Sequence, residues 1–189
     1  MRRLVVRVCL LLCAAGAAHA APGGTERSME VVLEPASGDV VVVADLTIGT
    51  DGSYRLRYRD APFAPHFLSM RPFQCLPAPP RLQCHLPYPY ENGRRITDVD
   101  LGDLEYDLLF LVKQADEFGV DFWNGRYYRL AWEDDAIVGV AMATDMNILA
   151  SSPPEGETRP IRNNDLTAIE PSDTPYPTLR IRHARGEQQ

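Results

Sequence analysis

Between Ser53 and Asp60 the chain alternates strictly: Tyr54, Leu56 and Tyr58 are apolar, and Arg55, Arg57 and Arg59 between them are charged. A period of two is the pattern of a strand with one face in a core and the other in water. The stretch just upstream, Val40 to Ile48, is rich in β-branched residues, and Thr50-Asp51-Gly52 separates the two. A two-residue Asp-Gly turn would set Ile48 opposite Arg55 and mix the faces. A three-residue loop with Gly52 left-handed sets Ile48 opposite Tyr54, Leu46 opposite Leu56 and Ala44 opposite Tyr58. Asp45 then faces Arg57 and Thr47 faces Arg55. Because a one-residue slip moves every side chain to the other face, the pattern selects the three-residue loop. Gly52 must take a positive φ there, whereas Gly38, ahead of the strand, carries no such expectation.

Further along, residues 61–90 interleave Pro62, Pro65, Pro72, Pro77, Pro79, Pro80, Pro87 and Pro89 with Phe63, Phe67, Phe73, Tyr88 and Tyr90. Short strands around Phe67–Cys75 and Leu82–Leu86 fit this stretch, confined by proline to edges or ends. Leu104, Leu108, Leu111, Ala115 and Phe118 recur at helical spacing, with Asp98, Asp100 and Asp103 at the expected N-terminus and Gly119 as the stop, so a helix is predicted over 100–118. Asn124-Gly125 reads as a hairpin turn between Val120–Trp123 and Arg126–Glu133. A two-residue turn at Asp134-Asp135 places Trp132 opposite Ile137, Leu130 opposite Gly139 and Tyr128 opposite Ala141. Residues 151–176 read as loop, and Thr178–His183 as a last strand. The expected fold is β-dominated, a mainly antiparallel sheet or calycin-like barrel of about eight strands with one packed α-helix. The alternative is an α+β sheet with the helix on one face.

The first twenty residues have a different character. Met1-Arg2-Arg3, the apolar run Leu4 to Leu12 interrupted by Arg7, and Ala18-His19-Ala20 follow the order of a secretory signal peptide. Residues 21–189 then form a single β-rich domain, with 21–28 and 184–189 expected to be disordered. Removing the leader from the 189 residues leaves 16 basic against 26 acidic residues, a charge of about −10 that argues against nucleic acid and anionic membrane surfaces. Lys113 is the sole lysine, which fits a GC-rich genome. In general style the chain resembles exported proteins of GC-rich bacteria, which implies a periplasmic or secreted location and no integral membrane segment after leader cleavage. Two cysteines remain, Cys75 and Cys84, an even number expected to form a disulfide in an oxidising space. Such a bridge closes a loop whose entropy corresponds to roughly 2–3 kcal/mol.

No motif for chemistry stands out. Asp98, Asp100, Gly102 and Asp103 fail the calcium-loop pattern at three positions and read as helix capping. Cys75, Cys84, His85 and His66 are metal-binding residue types, but their spacing favours a disulfide, so neither a metal nor a cofactor is expected. His66 precedes Ser69 by three residues without any nucleophile motif around it. Trp123, Tyr127, Tyr128 and Trp132 read as core packing before cavity lining. The favoured function is a non-catalytic, exported binding or interaction domain that engages an envelope protein partner or a small apolar ligand. The expected surface is Phe63, His66, His85, Tyr88, Tyr90, Arg94 and Arg95: proline pre-sets the backbone, tyrosine supplies contact area, and arginine orients a carboxylate. The alternative is a hydrolase or metal-dependent enzyme using His66 and His85.

The leader reading has a direct check. The intact mass of protein recovered from the periplasm should correspond to a chain starting at Ala21; a full-length mass, or a lipid adduct on Cys13, would contradict it.

Overall fold

The computed structural model describes residues 25–68 and 72–184; the leader, residues 21–24 of the stretch expected to be disordered, residues 69–71 with Ser69, and residues 185–189 lie outside these. Among the described residues, eleven strands form one antiparallel sheet, curled into a half-barrel, with a single short α-helix. They are β1 (Arg27–Glu34), β2 (Val41–Ile48), β3 (Tyr54–Tyr58), β4 (Ala64–Phe67), β5 (Pro72–Ala78), β6 (Arg81–His85), β7 (Phe110–Gln114), β8 (Gly125–Glu133), β9 (Ala136–Thr144), β10 (Thr167–Ala168) and β11 (Thr178–His183). The spatial order is β3-β2-β1-β11-β9-β8-β7-β6-β5-β4, with β10 beside the end of β9.

The β2–β3 hairpin has the expected register, Ile48 opposite Tyr54 through Ala44 opposite Tyr58. On its outer face Arg57 and Arg59 both reach Asp45, at 3.1 and 2.6 Å. The hydrogen bond from Arg59 holds the Asp45 carboxyl below its usual range. The β8–β9 hairpin also has the expected register, with Leu130 over Gly139 and Tyr128 over Ala141. A Cβ on Gly139 would stand 2.7 Å from the Leu130 side chain, so the small residue makes room for the large one opposite.

Several expectations are corrected. Residues 27 and 28 are not disordered but open β1, a central strand between β2 and β11. Met29, Val31 and Leu33 alternate into the core, but a bulge at Val31/Val32 buries Val32 as well and blurs the pattern. The helix is not 100–118 but only α1 (Gly102–Asp107). The apolar run after it is the interior strand β7, buried on both sides: Leu108 and Phe110 join one core, Leu109 and Leu111 another. A strand covered on both faces loses its alternation and mimics the residue content of a buried helix. Phe118, expected to face that helix's core, is 85% exposed. Finally, Asn124-Gly125 is not a hairpin turn. Phe122–Asn124 forms a single 3-10 turn, and Gly125 begins β8 opposite Thr144. A Cβ there would come within 2.5 Å of Met146 and 2.7 Å of the Thr144 carbonyl, so the glycine serves close packing.

The inner core fills the concave side of the sheet with residues from nearly every long strand, among them Val31, Leu46, Phe110, Tyr128, Ile137 and Leu179. The second core, around Tyr106, Leu111, Tyr127 and Met146, lies on the opposite side of β7 and β8. Loop residues Tyr88, Tyr90, Phe122 and Leu166 pack against it. Among the described residues no helix is long and apolar enough to cross a membrane.

Gly52 in the β2–β3 turn and Gly38 in the β1–β2 loop are distinguishable. Gly52 has φ +79°, its carbonyl accepts the Ile96 N–H at 2.9 Å, and a Cβ would lie 2.5 Å from the Ile96 oxygen. Gly38 also has a positive φ, +103°, contrary to the sequence expectation, but nothing lies within 4 Å of its Cβ position. Valine at either position incurs backbone strain of roughly 1–3 kcal/mol. Only Gly52→Val adds a clash with main chain, so it should lower the urea midpoint more than Gly38→Val; equal shifts would refute this account of the turn.

Candidate functional site

Cys75 and Cys84 face each other across β5 and β6 with their sulfurs at disulfide-bonding distance, 2.01 Å, buried with Leu68 and Leu82. The other expected site residues are dispersed by the sheet. Pro65 pairs with Gln74 and His66 with Phe73, while Cys75 pairs with Cys84. The row of Gln74 therefore continues to His85, and the row of His66 is one step out of phase. Successive side chains on a strand point to opposite faces. His66 thus lies on the disulfide side of the sheet and His85 on the inner side, with β-structure between them. Ser69 lies outside the described residues. Among the described residues no three or more His, Cys, Asp and Glu side chains are grouped as a metal would require.

Phe63 packs edge-on against Tyr58, ring centres 5.8 Å apart, at the margin of the inner core. Tyr88 and Tyr90 turn inward. Tyr88 meets Tyr106 edge-on, ring centres 4.7 Å apart, and donates to the Thr158 carbonyl; Tyr90 donates to the Leu149 carbonyl at 2.7 Å. Arg94 and Arg95 fasten the first hairpin. The Arg94 carbonyl accepts the Tyr54 N–H, and Arg95 donates to the Asp51 carbonyl and carboxylate at 2.7 and 3.1 Å. These residues thus combine packing and fastening contacts with partial exposure. Of the four aromatic residues considered as cavity lining, Tyr128 is wholly buried, Trp123 is exposed, and Trp132 lies beneath the Arg27 guanidinium at 4.9 Å. Tyr127 lines a recess.

Three recesses stand out among the described residues. The smallest, about 130 Å³, lies where the curled sheet brings β3 against β5 and β6, between Tyr58, Phe63, Gln74 and His85. His85 stacks on Tyr58 with ring centres 3.9 Å apart and meets Phe110 edge-on. Burial pushes its imidazole down to about 4, partly opposed by a hydrogen bond with the Asp107 main chain.

The second recess exists because the sheet splits. β7 pairs with β8 only at Phe110–Arg126 and Leu111–Gly125. Beyond that point α1 fills the gap, and the Glu105 carboxylate accepts the Leu130 N–H at 2.7 Å together with the Tyr127 hydroxyl. Burial, and then the Glu105 charge, push the Tyr127 phenol far up. Outside this plug is a polar cleft of about 360 Å³ lined by Asp100, Glu105, Tyr127, Arg129, Arg159 and Asn163, among others. Arg159 binds Asp100 at 2.8 Å and Asp103 at 2.6 Å, and Arg129 donates to the Asn163 side chain at 2.8 Å. Sequence reasoning missed these residues. Glu105 left one signal, an acid amid the apolar stretch from Leu104 to Val112; Arg159 left none, being brought there by a long loop.

The third recess, about 310 Å³, is apolar. Leu86, Pro87 and Pro89 form one wall and Phe122, Met146 and Leu149 the other, with Ala150 at the mouth. The segment alternates, tyrosines to the core and prolines to the groove. Compared with known proteins, the chain matches no protein family, no curated protein and no solved structure.

The buried imidazole makes a pH prediction. An unfolded histidine takes up its proton near pH 6.5, the folded His85 only near pH 4. The unfolded state binds more protons between those values, so stability falls as pH drops through that window, by up to about 3 kcal/mol. His85→Phe should flatten the fall in urea midpoint between pH 6.5 and pH 4; an unchanged slope would show that another group carries it.

Proposed function

We propose that this chain is an exported, periplasmic binding domain without chemistry of its own, and that its apolar groove receives a small apolar ligand. The observation that carries the reading is the groove's construction. Binding sites for small molecules are concave, mostly apolar and largely formed in advance, commonly 300–1,000 Å³ in volume. This groove, at about 310 Å³, is at the small end of that range. Its Pro87–Pro89 wall is held from behind by the hydroxyls of Tyr88 and Tyr90, anchored to Thr158 and Leu149. Proline has little backbone freedom to lose, so little entropy opposes binding. The buried cysteine pair at disulfide distance fits an oxidising compartment, as the leader sequence does.

Titration with the neutral, solvent-sensitive dye N-phenyl-1-naphthylamine should give saturable, one-to-one fluorescence enhancement, reversed by a short aliphatic alcohol. Ala150 is exposed at the groove mouth, so Ala150→Arg should weaken dye binding about tenfold or more while leaving the thermal midpoint in place. Dye binding that is non-saturable, or indifferent to Ala150→Arg, would remove the groove from consideration.

A further inference from the structure

The polar cleft beside α1 has a charge pattern that the groove does not explain. Arg159 on the cleft wall bridges Asp100 and, behind the lining, Asp103, so its one positive charge is shared by two acids and that wall keeps a net negative charge. Two further charged groups have no charged partner among the described residues. Glu105, 8% exposed, forms the floor. Each of its oxygens accepts one hydrogen bond, from the Leu130 N–H and the Tyr127 hydroxyl, and no cation pairs with it among the described residues. A carboxylate has about four acceptor sites, so about half are unfilled. Burying an acid without a counter-charge is costly, and a cation delivered through the cleft would offset that cost. The second group is Arg129. It is exposed, and its only side-chain partner among the described residues is the neutral Asn163 amide.

Glu105 and Arg129 are held apart by their own anchors. Tyr127 and Arg129 are two residues apart on β8, on the same side of the strand and roughly 7 Å from one another along it. The acid is fastened to the first of these and to the Leu130 main chain, and the base is drawn to Asn163. Between them lies open volume of about 360 Å³, in a recess lined mainly by polar atoms.

The geometry points to a second binding site in this cleft, for a small zwitterion of the amino-carboxylate class: its ammonium group sits on Glu105 and its carboxylate on Arg129. The ammonium fills the vacant acceptor sites of the buried acid. The guanidinium offers the forked donor geometry that suits a carboxylate. A ligand with only one of the two charges satisfies one group and leaves the other unmet. The site is independent of the apolar groove, which is built from different residues.

The test uses the full chain and glycylglycine as probe, with ethylamine and propionate as single-charge controls. The Leu130 amide, bonded directly to Glu105, is the reporter in a heteronuclear NMR titration. Glycylglycine should shift it saturably, and neither control should do so at the same concentration. Arg129→Ala, at an exposed position, should weaken binding about tenfold with an unchanged thermal midpoint. Glu105→Gln keeps an acceptor for the Leu130 N–H while removing the charge, and should abolish the response. A Leu130 amide indifferent to glycylglycine would overturn the proposal. So would an equal response to propionate, which would mark an anion site at Arg129 alone, or binding that survives Arg129→Ala. Each of these outcomes leaves dye binding in the apolar groove untouched and so separates the two sites.

Discussion

Where a neighbouring strand would ordinarily accept it, the Leu130 N–H meets the Glu105 carboxylate at 2.7 Å. Much of the architecture follows from that substitution of side chain for strand. β7 leaves β8 after two residue pairs, and a bare row of β8 main-chain donors and acceptors would be costly if buried. Helix α1 occupies the opening and supplies polar side chains in several directions. Asp103 holds Arg159 and the Arg95 N–H; Tyr106 accepts the Ile161 N–H at 2.6 Å; Asp107 accepts from Tyr54 at 2.8 Å and from Asn92 at 3.0 Å. Burial pushes the Asp107 carboxyl up, against the lowering effect of those two hydrogen bonds and the Arg94 charge. Six residues thereby tie together the first hairpin, the central strands and the loop around residue 160.

The sheet curls without closing on itself. β3 and β4 are its two edges. The Arg94 carbonyl and the Ile96 N–H bond to the start of β3, Pro65 interrupts β4, and Tyr58 of β3 stacks on His85 of β6 across the seam. Covering and proline are familiar ways to keep an edge from pairing with another chain. At the other end of the inner core Arg126, 5% exposed, is satisfied by neutral acceptors only: the Thr174 hydroxyl, the Asn124 amide and main-chain carbonyls. Its burial lowers its affinity for a proton.

Both candidate ligand recesses owe their existence to the second core. The loops that cover β7 and β8 from outside, residues 86–90, 120–122, 146–149 and 161–166, do not meet edge to edge. Where two apolar loops stand apart, the groove between Pro89 and Leu149 results; where charged loops frame the helix, the polar cleft results. A covering of irregular segments over a rigid sheet is where binding residues commonly collect, because loops can diverge while the scaffold holds them in place.

Local patterns were legible in the sequence wherever one face of a strand meets water. The register of β2 on β3, the tight turn at Asp134-Asp135, the strand at Thr178–His183 and the pairing of Cys75 with Cys84 each follow from alternation, turn chemistry or cysteine count, properties of a few adjacent residues. What the sequence could not decide is what covers each element. Phe110 to Gln114 is a strand and not a helix because loops from distant parts of the chain bury its second face. Tyr88 and Tyr90, both half-buried, are anchored because Thr158 and Leu149 arrive behind them. His66 and His85 are separated by a one-step phase difference across three strands, and Glu105 meets Tyr127 and Arg129 only because β7 departs from β8. Alternation records whether a face is wet or dry, and a long-range contact that dries the second face erases that record.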